Sequence, residues 1–384
     1  MSRDLHTTYP AISDLAAKAK KRIPHFAWEY LDSGTGLEDA VQRNRNAFAE
    51  VTLTPRFMQG QFEPETATTL FGIKYALPFG VAPVGLTGLM WPEAEKILAR
   101  AAAQYRIPYS LGTVATESPE TIGPLTDGMG WFQLYPPQQK EMRQDILKRA
   151  RDSGFTTLLV TADVPTGSCR ERQRRAGVNV PPKTNLRTLY HAAIRPEWAL
   201  RTLKHGLPRF RGMEKYADGK DMQNMTSFIG QNLGGTLDWD YLKTLRDEWD
   251  GPILVKGVLD KEEAQQIAAI GLDGVVVSNH GGRQCDGVPA ALHVLPAIKQ
   301  AVGDQLTIVF DSGVRTGLDI IRALALGADF VMLGRPFMFG VSALGEAGGA
   351  HVIEILQEDL RNNMVQLGCR KLDELSDRLA SKMC

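Results

Sequence analysis

The chain has 384 residues, 43% of them hydrophobic, with 44 lysines and arginines against 44 aspartates and glutamates. This composition excludes a largely disordered chain, and the balanced charge predicts no nucleic-acid partner. The length suits two average domains or one large α/β barrel with insertions.

The sequence gives little sign of metal-binding or targeting segments. The cysteines Cys169, Cys285, Cys369 and Cys384 form no CxxC pair or Cys/His cluster with zinc spacing, so we predict no metal site. Residues 1–30 hold no apolar signal segment, which predicts a cytoplasmic chain. The uncharged stretch Tyr75–Pro92 is interrupted by prolines and glycines, and we interpret it as a buried strand followed by a loop rather than a membrane span.

Eight short apolar runs recur along the chain and alternate with helix-like segments. Runs this short and apolar suit a parallel sheet that is covered on both faces. The runs are Phe79–Ala82, Tyr109–Leu111, Trp131–Leu134, Thr157–Val160, Ile253–Val255, Val275–Val277, Thr307–Phe310 and Phe330–Leu333. The clearest helical segments are Glu93–Gln104, Gln138–Asp152, Lys261–Ala269 and Thr316–Leu326. Eight such units predict a (β/α)8 TIM barrel, with the whole chain 1–384 as one domain. An open doubly wound sheet is the alternative, but no GxGxxG or GxxxxGK[ST] loop follows any run.

A long basic insertion, about 171–235, is predicted after the fourth strand. Between Arg170 and Lys220 there are 13 lysines and arginines and 4 aspartates and glutamates, so this segment carries +9 and the remainder −9. Its apolar residues recur at helical spacing, among them Leu186, Leu189, Ile194 and Trp198. Such a segment is typical of a surface that lies on an anionic membrane, and also of a helical excursion packed on the barrel.

Unusual polar residues follow six of the predicted strands, at the end where barrel enzymes carry their chemistry. Residues two apart on a strand share a face, so several of these side chains should converge. They are Gln133, Tyr135, Thr161, Asp163, Lys256, Ser278, Asn279, His280, Asp311, Gly334 and Arg335. So many neighbouring strand ends predict a site rather than isolated structural pairs.

The last two strand ends have the composition of a phosphate site. Asp311-Ser312-Gly313-Val314-Arg315 and Leu333-Gly334-Arg335 each combine small residues with an arginine. Backbone N–H groups near glycine and a bidentate guanidinium both bind phosphate oxygens. The loops after strands seven and eight are the usual phosphate site of a barrel, although phosphate alone does not name the ligand.

The segment His280-Gly281-Gly282-Arg283 places an imidazole close to a guanidinium. A histidine can act as a base near neutral pH, and an arginine can bind a substrate carboxylate. Arg170 could close the other side of the substrate, and Asp163 could orient His280. A lone structural histidine is the alternative interpretation.

A family resemblance emerges from one segment of seven residues, which resembles the signature of the FMN-dependent L-2-hydroxy acid oxidases and dehydrogenases. This segment is Ser278-Asn279-His280-Gly281-Gly282-Arg283-Gln284. The similarity extends from Tyr30-Leu31-Asp32-Ser33-Gly34 to Gly334-Arg335 and points most to the bacterial L-lactate dehydrogenases that use a quinone. It implies that the chain binds FMN and oxidises an L-2-hydroxy acid, with L-lactate favoured, to the 2-oxo acid. It also implies that a quinone accepts the electrons and that the chain forms a homotetramer. A soluble oxidase that passes electrons to O2 from glycolate, lactate or mandelate is the alternative.

The resemblance also implies a role for each site residue. His280 is expected to be the base and Asp163 its partner, with Arg283 and Arg170 on the substrate carboxylate. Tyr30 and Tyr135 are expected to bond the carboxylate and the hydroxyl oxygen. The residues expected to bind FMN are Ala82, Pro83, Val84, Gly85, Gln133, Thr161, Lys256, Ser278, Asp311, Gly313, Arg315, Gly334 and Arg335.

The chain departs from the plant glycolate oxidases at several positions. Gly112 stands in place of a serine, Val114 of a tryptophan, Gly85 of an alanine and Ser312 of a glycine. The basic insertion resembles the membrane-contacting segment of bacterial lactate and mandelate dehydrogenases, which implies peripheral association with the inner face of the cell membrane. A third interpretation is a barrel without redox activity that keeps only the phosphate site. The presence of His280, Arg283, Arg170 and Lys256 argues against this interpretation.

Overall fold

Eight parallel strands close into a barrel in a computed structural model that describes residues 4–178, 186–217, 222–235 and 237–380. A two-stranded antiparallel ribbon precedes them, made of β1 (Thr68–Leu70) and β2 (Ile73–Tyr75). The barrel strands are β3 (Phe79–Val81), β4 (Tyr109–Gly112), β5 (Gly130–Leu134), β6 (Thr157–Thr161), β7 (Ile253–Val258), β8 (Gly274–Val277), β9 (Thr307–Phe310) and β10 (Phe330–Leu333). Neighbours follow chain order, and β10 pairs with β3 to close the ring.

Helices surround the barrel and cover its outer face. Within the described ranges the α-helices are α1 (Leu5–Thr8), α2 (Ile12–Arg22), α3 (His25–Asp32), α4 (Asp39–Glu50), α5 (Thr87–Met90), α6 (Ala94–Gln104), α7 (Pro119–Ile122), α8 (Lys140–Asp152), α9 (Glu171–Arg175), α10 (Leu186–Ala193), α11 (Pro196–His205), α12 (Met222–Asn232), α13 (Trp239–Glu248), α14 (Lys261–Ala269), α15 (Ala291–Val302), α16 (Gly317–Ala325), α17 (Arg335–Leu344) and α18 (Gly348–Leu367). Short 3₁₀ turns occupy Gly123–Leu125, Gly345–Ala347 and Leu372–Arg378.

This architecture confirms the predicted TIM barrel. The eight apolar runs are the eight barrel strands, and only β7 departs from its predicted end by more than one residue. The four predicted helices are α6, α8, α14 and α16, each within two residues of its predicted ends. The sequence located these elements because strands buried on both faces are continuous apolar runs.

Inside the barrel, a layer of apolar side chains lies beneath a layer of polar side chains at the carboxyl ends of the strands. One buried cluster inside the barrel includes Trp131, Leu159, Leu254, Val276 and Val309, from the consecutive strands β5 to β9. The residues two positions further along the same strands are Gln133, Thr161, Lys256, Ser278 and Asp311. Because side chains two apart share a face, the apolar layer carries a polar layer at the carboxyl ends of the strands.

The β1–β2 ribbon closes the opposite end of the barrel. Leu70 and Tyr75 belong to the same interior cluster as Trp131 and Phe330, which lie near the starts of their strands. The indole Nε1 of Trp131 donates a hydrogen bond of 3.0 Å to the hydroxyl of Tyr75. The interior of the barrel at its amino end is therefore filled with aromatic side chains, whereas the polar layer lies at the carboxyl end.

The predicted helical insertion follows β6, and its apolar residues divide into two groups. Leu186 is 86% exposed, whereas Trp198 is 5% exposed, contacts Phe26 edge to face and donates from Nε1 to the carbonyl oxygen of Leu89 at 3.1 Å. The expectation that Trp198 could enter a membrane interface is therefore wrong, because its ring anchors α11 to the barrel. Within the described ranges, no helix combines the length and apolar character needed to cross a bilayer.

Candidate active site

A cleft at the carboxyl end of the barrel brings the sequence-predicted side chains together. Of the residues predicted from sequence, those that line it are Tyr30, Ala82, Pro83, Val84, Gly85, Gln133, Tyr135, Thr161, Arg170, Lys256, His280, Arg283, Asp311, Gly313, Arg315, Gly334 and Arg335. Asp163 and Ser278 lie behind this lining, where each bonds to a residue that reaches the cleft. Gln133, Thr161, Lys256 and Asp311, which the strand period predicted to share a face, line this cleft together although they lie far apart in sequence.

A buried polar network occupies the floor of the cleft. The ammonium of Lys256 lies 2.9 Å from Asp311 Oδ2 and donates to the hydroxyl of Ser278 at 3.0 Å. That hydroxyl in turn donates to Asp311 Oδ1 at 2.5 Å. Burial opposes the charge of Lys256, but the carboxylates of Asp311 and Asp163 raise its pKa, so the ammonium stays protonated. The floor therefore presents a fixed positive charge.

His280 and Asp163 form a pair on one wall. His280 Nδ1 lies 3.0 Å from Asp163 Oδ1, and the backbone N–H of His280 donates to Ser278 Oγ at 3.0 Å. Burial lowers the pKa of His280, against the opposing effect of Asp163, so the imidazole is neutral at neutral pH. Burial acts to raise the pKa of Asp163, but the electrostatic interaction and hydrogen bond with His280 and the positive charge of Lys256 together lower it. The pair is a neutral imidazole held by a carboxylate, which is the resting form of a general base.

Gly257 creates the space for this pair, and the sequence analysis missed it. The register of β7 against β8 shifts between Lys256 and Val258, and Gly257 adopts φ +103° there. A Cβ at position 257 would lie 2.4 Å from the Cβ of Asp163. A glycine inside a strand often marks a bulge, and this was the signal by which it could have been found.

Two arginines face the cleft beside His280, and neither has a carboxylate partner among the described residues. Arg283 donates from Nη1 to the backbone carbonyls of Tyr30 and Ser33, both at 2.9 Å. Arg170 donates from Nη2 to Gln284 Oε1 at 2.8 Å and from Nε to Ser168 Oγ at 2.9 Å. Burial, followed by the charges of Arg170 and Arg335, lowers the pKa of Arg283 to about 9, so it is still charged at neutral pH. The pair forms an anion-binding end of the cleft.

Two tyrosines complete this end. The hydroxyl of Tyr30 donates to the carbonyl of Gly85 at 3.1 Å, and its ring lies 5.4 Å below the guanidinium of Arg283. Burial raises the pKa of Tyr135 to about 12, so its hydroxyl remains a hydrogen-bond donor. The backbone of Tyr135 is fixed by Thr113, whose hydroxyl accepts from Tyr135 N at 3.0 Å. Thr113 is a supporting residue that the sequence analysis did not identify.

A second pair of arginines lies at the other end. The guanidinium of Arg315 donates to the carbonyl of Val314 at 2.7 Å, while that of Arg335 donates to the carbonyls of Leu31, Gly281 and Ser33 at 2.9–3.2 Å. Burial and the neighbouring charge of Arg335 lower the pKa of Arg315 to about 9. Among the described residues, neither guanidinium has a carboxylate within ion-pair distance. Two like charges held together in a cleft favour an anion between them.

One side of the cleft is lined by small residues and an amide. Gln133 donates from Nε2 to Thr161 Oγ1 at 2.9 Å, and a Cβ at Gly112 would lie 3.0 Å from Gln133 Oε1. A Cβ at Gly85 would lie 2.9 Å from Val114. The departures at positions 85 and 114 are therefore in contact, and together they shape the space beside Tyr30.

Comparisons with known proteins agree with this geometry. The family model described as FMN-dependent dehydrogenase matches residues 19–382. The L-lactate dehydrogenase of Caulobacter vibrioides is 38% identical over 96% of this chain and 97% of its own length. The L-lactate dehydrogenase of Pectobacterium atrosepticum is also 38% identical, over 95% of each chain.

Solved structures give the same result. The monotopic membrane protein (S)-mandelate dehydrogenase is similar with a TM-score of 0.92 and 32% identity, over 97% of this chain and 99% of that one. A mandelate oxidase is similar with a TM-score of 0.80 and 31% identity, over 96% and 97% of the two chains. The family predicted from the signature is thereby confirmed: the chain belongs to the FMN-dependent dehydrogenases, as an FMN flavoenzyme that oxidises 2-hydroxy acids.

Proposed function

We propose that this enzyme oxidises L-lactate to the 2-oxo acid and passes the electrons to a quinone at a membrane surface. The observation that carries the oxidation is the His280–Asp163 pair, which shares one cleft with two arginines and a buried lysine. A base, a carboxylate clamp and a fixed cation are what oxidation of a 2-hydroxy acid by a flavin requires.

The cleft fits FMN in both shape and charge. Arg315, Arg335, Gly313 and Gly334 would hold the phosphate, since both guanidiniums are without acidic partners there. Asp311 and Ser278 would bond the ribityl chain and position Lys256. FMN supplies the acceptor for the two electrons of the substrate.

The remaining cofactor residues would hold the flat ring. Lys256 would place its positive charge beside the pyrimidine end, where negative charge accumulates on reduction. Gln133 and Thr161 would bond the ring edge, and the backbone from Ala82 through Pro83 and Val84 to Gly85 would run along one face.

We propose that His280 takes the substrate proton. Asp163 holds Nδ1, so Nε2 is the nitrogen available to the substrate. Protonation makes an imidazolium that the Asp163 carboxylate stabilises, and burial keeps water away from the pair.

The substrate carboxylate would be bound by Arg283 and Arg170. Arg283 is already oriented by two backbone carbonyls, so little side-chain freedom is lost on binding. Tyr30 and Tyr135 would donate to the carboxylate and to the hydroxyl oxygen. The contact between Gly85 and Val114 bounds the space for the substrate side chain, and the named relatives above favour the methyl group of lactate.

A membrane-facing surface supports the quinone as acceptor. Seven of the twelve large hydrophobic side chains that are exposed among the described residues fall in 186–207. They are Leu186, Leu189, Tyr190, Ile194, Leu200, Leu203 and Leu207. Exposed apolar side chains beside the basic residues Arg187 and Lys204 suit an anionic lipid surface. The similar (S)-mandelate dehydrogenase is described as a monotopic membrane protein, which favours the same peripheral position on the inner face of the cell membrane.

We also propose that residues 1–384 form one FMN-binding domain, with the insertion 171–235 as part of it, and that four copies assemble. Light scattering of the FMN-loaded protein would test the tetramer, and a monomer mass would refute it.

The function is tested by anaerobic reduction of the bound flavin followed by reoxidation. We expect L-lactate to bleach the flavin absorbance, and D-lactate, glycolate and mandelate to do so slowly or not at all. A short-chain quinone should then restore the absorbance faster than O2 at equal concentration. If glycolate or mandelate bleaches the flavin faster than L-lactate does, that acid is the better substrate and the assignment of L-lactate is wrong. If O2 reoxidises the flavin faster than the quinone does, the enzyme is the oxidase alternative.

A further inference from the structure

A histidine and glutamate cluster lies outside the active site, where α1 meets α18. His6 of α1 and His351 and Glu354 of α18 each direct one nitrogen or oxygen atom toward a common point, with the three atoms all within 4.8 Å of one another. His351 is 1% exposed, whereas the side chains of His6 and Glu354 are 46% and 37% exposed. The cluster is therefore half-open to solvent.

The buried histidine carries a nitrogen with no hydrogen bond from the described part of the chain. This nitrogen is His351 Nδ1, while the other ring nitrogen, Nε2, lies 2.9 Å from the carbonyl oxygen of Tyr9. A carbonyl can only accept, so Nε2 carries the proton and Nδ1 has a free lone pair. A buried polar atom without a partner is costly, which makes this lone pair a sign of an absent ligand.

The distances suit a tetrahedral ion. Glu354 Oε2 lies 3.2 Å from His6 Nε2 and 3.8 Å from His351 Nδ1. With metal–nitrogen and metal–oxygen bonds of about 2.0–2.2 Å, ligand atoms around a tetrahedral zinc ion lie about 3.3–3.5 Å apart. Small side-chain movements would bring the three atoms onto one ion, with the solvent side left for a water ligand.

The groups behind these atoms also match a metal centre. Metal-bound histidines usually donate their second ring N–H to a carbonyl or carboxylate, as His351 does to Tyr9. Bound carboxylates are usually hydrogen-bonded as well, and the hydroxyl of Tyr105 donates to Glu354 Oε1. Both supporting bonds exist without the ion, so the binding geometry is largely preformed.

We propose that His6, His351 and Glu354 bind a divalent transition-metal ion of the zinc class, which clips the amino-terminal helix to α18. Two imidazoles and one carboxylate favour such ions over Mg²⁺ or Ca²⁺, which prefer oxygen ligands. The spacing rule for zinc sites missed this cluster because His6 and His351 come from opposite ends of the chain.

The test is calorimetric titration of ZnCl2 into tag-free, FMN-loaded protein that has been dialysed against a chelator. We expect one saturable zinc ion per chain, no comparable binding of MgCl2, and a higher unfolding temperature with zinc that EDTA reverses. Absence of a saturable zinc site in the wild type would overturn the proposal.

Variants distinguish this site from zinc bound elsewhere. His6→Ala and Glu354→Gln should each weaken zinc binding by more than about 10-fold, and Tyr105→Phe, which removes only the supporting bond, by about 10- to 100-fold. His293→Ala is the matched control, because His293 pairs with Glu50 at 2.8 Å on the surface without belonging to the cluster. His6 is the deciding position, since it is exposed and its substitution should not affect folding. Zinc that binds His6→Ala as tightly as the wild type is bound at another site, and the proposal is then wrong.

Discussion

The loop that carries His280 has a left-handed backbone at three consecutive residues. The φ angles are 57° at His280, 64° at Gly281 and 74° at Gly282. Ser312, itself at φ 91°, supports the loop, because its hydroxyl accepts from Gly281 N at 3.0 Å and donates to Asp311 Oδ1 at 2.8 Å. A backbone held in such a conformation persists only where its surroundings enforce it. Ser312 therefore connects the loop of the proposed base to the polar network on the floor of the cleft.

Replacement of Asp163 tests how the proposed base is tuned. The carboxylate raises the pKa of His280, so Asp163→Asn should lower that pKa further below its ordinary value. The neutral imidazole then persists to lower pH, and the acid limb of the kcat/KM profile should move to lower pH. The maximal rate of flavin reduction should fall by about 10²- to 10⁴-fold, because the imidazolium loses its partner.

Measurement of flavin reduction by L-lactate across pH, for wild type and variant, checks both effects. His280→Gln serves as the reference in which the base is absent. An acid limb that moves to higher pH would contradict the assigned pair.

Gly257→Ala tests the space behind the pair. The added methyl would lie 2.4 Å from the Cβ of Asp163, so the Asp163 side chain must shift relative to His280. A shift of about 1 Å can cost about 100-fold in rate, and we expect a loss of that order in flavin reduction with FMN still bound. Gly271→Ala is the control, because φ at Gly271 is also positive, +77°, but an added Cβ would contact nothing within 4 Å. If Gly257→Ala reduces the flavin as fast as Gly271→Ala does, the space behind Asp163 is not needed for the reaction.

At the scale of elements, the insertion after β6 joins two surfaces. Its first helix holds the amino-terminal segment, since Arg172 pairs with Glu29, Asp32 and Glu38 at 2.7–3.2 Å. Its later helices α10 and α11 present leucines to solvent, and Trp198 fastens α11 to the barrel. The start of the insertion therefore holds the segment near Tyr30 in place, and the exposed leucines of α10 and α11 form the surface of the proposed membrane contact.

We expect a triple variant, Leu186→Ser, Leu203→Ser and Leu207→Ser, to lose sedimentation with phosphatidylglycerol vesicles while keeping flavin reduction. Each leucine that enters the lipid contributes about 1.5–3 kcal/mol, so partitioning should fall by more than about 10-fold. Leu37→Ser is the control, because Leu37 is 87% exposed but lies outside the insertion. Wild-type protein should sediment at low salt and be partly released by salt. If the triple variant sediments like the wild type, the insertion is a packed surface excursion.

The barrel strands could be predicted from the sequence because they are continuous apolar runs, and the polar layer above them could be predicted because side chains two apart on a strand share a face. Gln133, Thr161, Lys256, Ser278 and Asp311 each follow an apolar residue of the interior by two positions. The same reasoning could not predict which apolar residues of the insertion are buried. Leu186 and Trp198 both belong to the helical pattern, but Leu186 is exposed to solvent and Trp198 is buried. Contacts between distant segments, such as Arg172 with Glu29, leave no local pattern at all.

The molecule as a whole has no net charge, but several arginines are gathered in the cleft at the carboxyl end of the barrel. Arg315 and Arg335 repel each other in the absence of an anion. Removal of FMN should therefore lower the unfolding temperature, and free FMN at 100 times its Kd should restore about 2.7 kcal/mol. Riboflavin should bind roughly 10- to 100-fold more weakly, since a lost charge-assisted hydrogen bond costs about 1.5–3 kcal/mol. Fluorescence titration and thermal unfolding of the apoprotein check this expectation. Equal affinities for FMN and riboflavin would show that Arg315 and Arg335 do not bind the phosphate.

The closure of the barrel between β3 and β10 has a consequence for synthesis of the chain. Ala82 N donates to Leu333 O at 3.0 Å, although roughly 250 residues separate the two strands. The ring face of the cleft is made early by the ribosome, and its phosphate end is made among the last strands. A nascent chain that ends before β10 therefore lacks the phosphate end of the cleft, and we expect it to bind FMN only after β10 has been made.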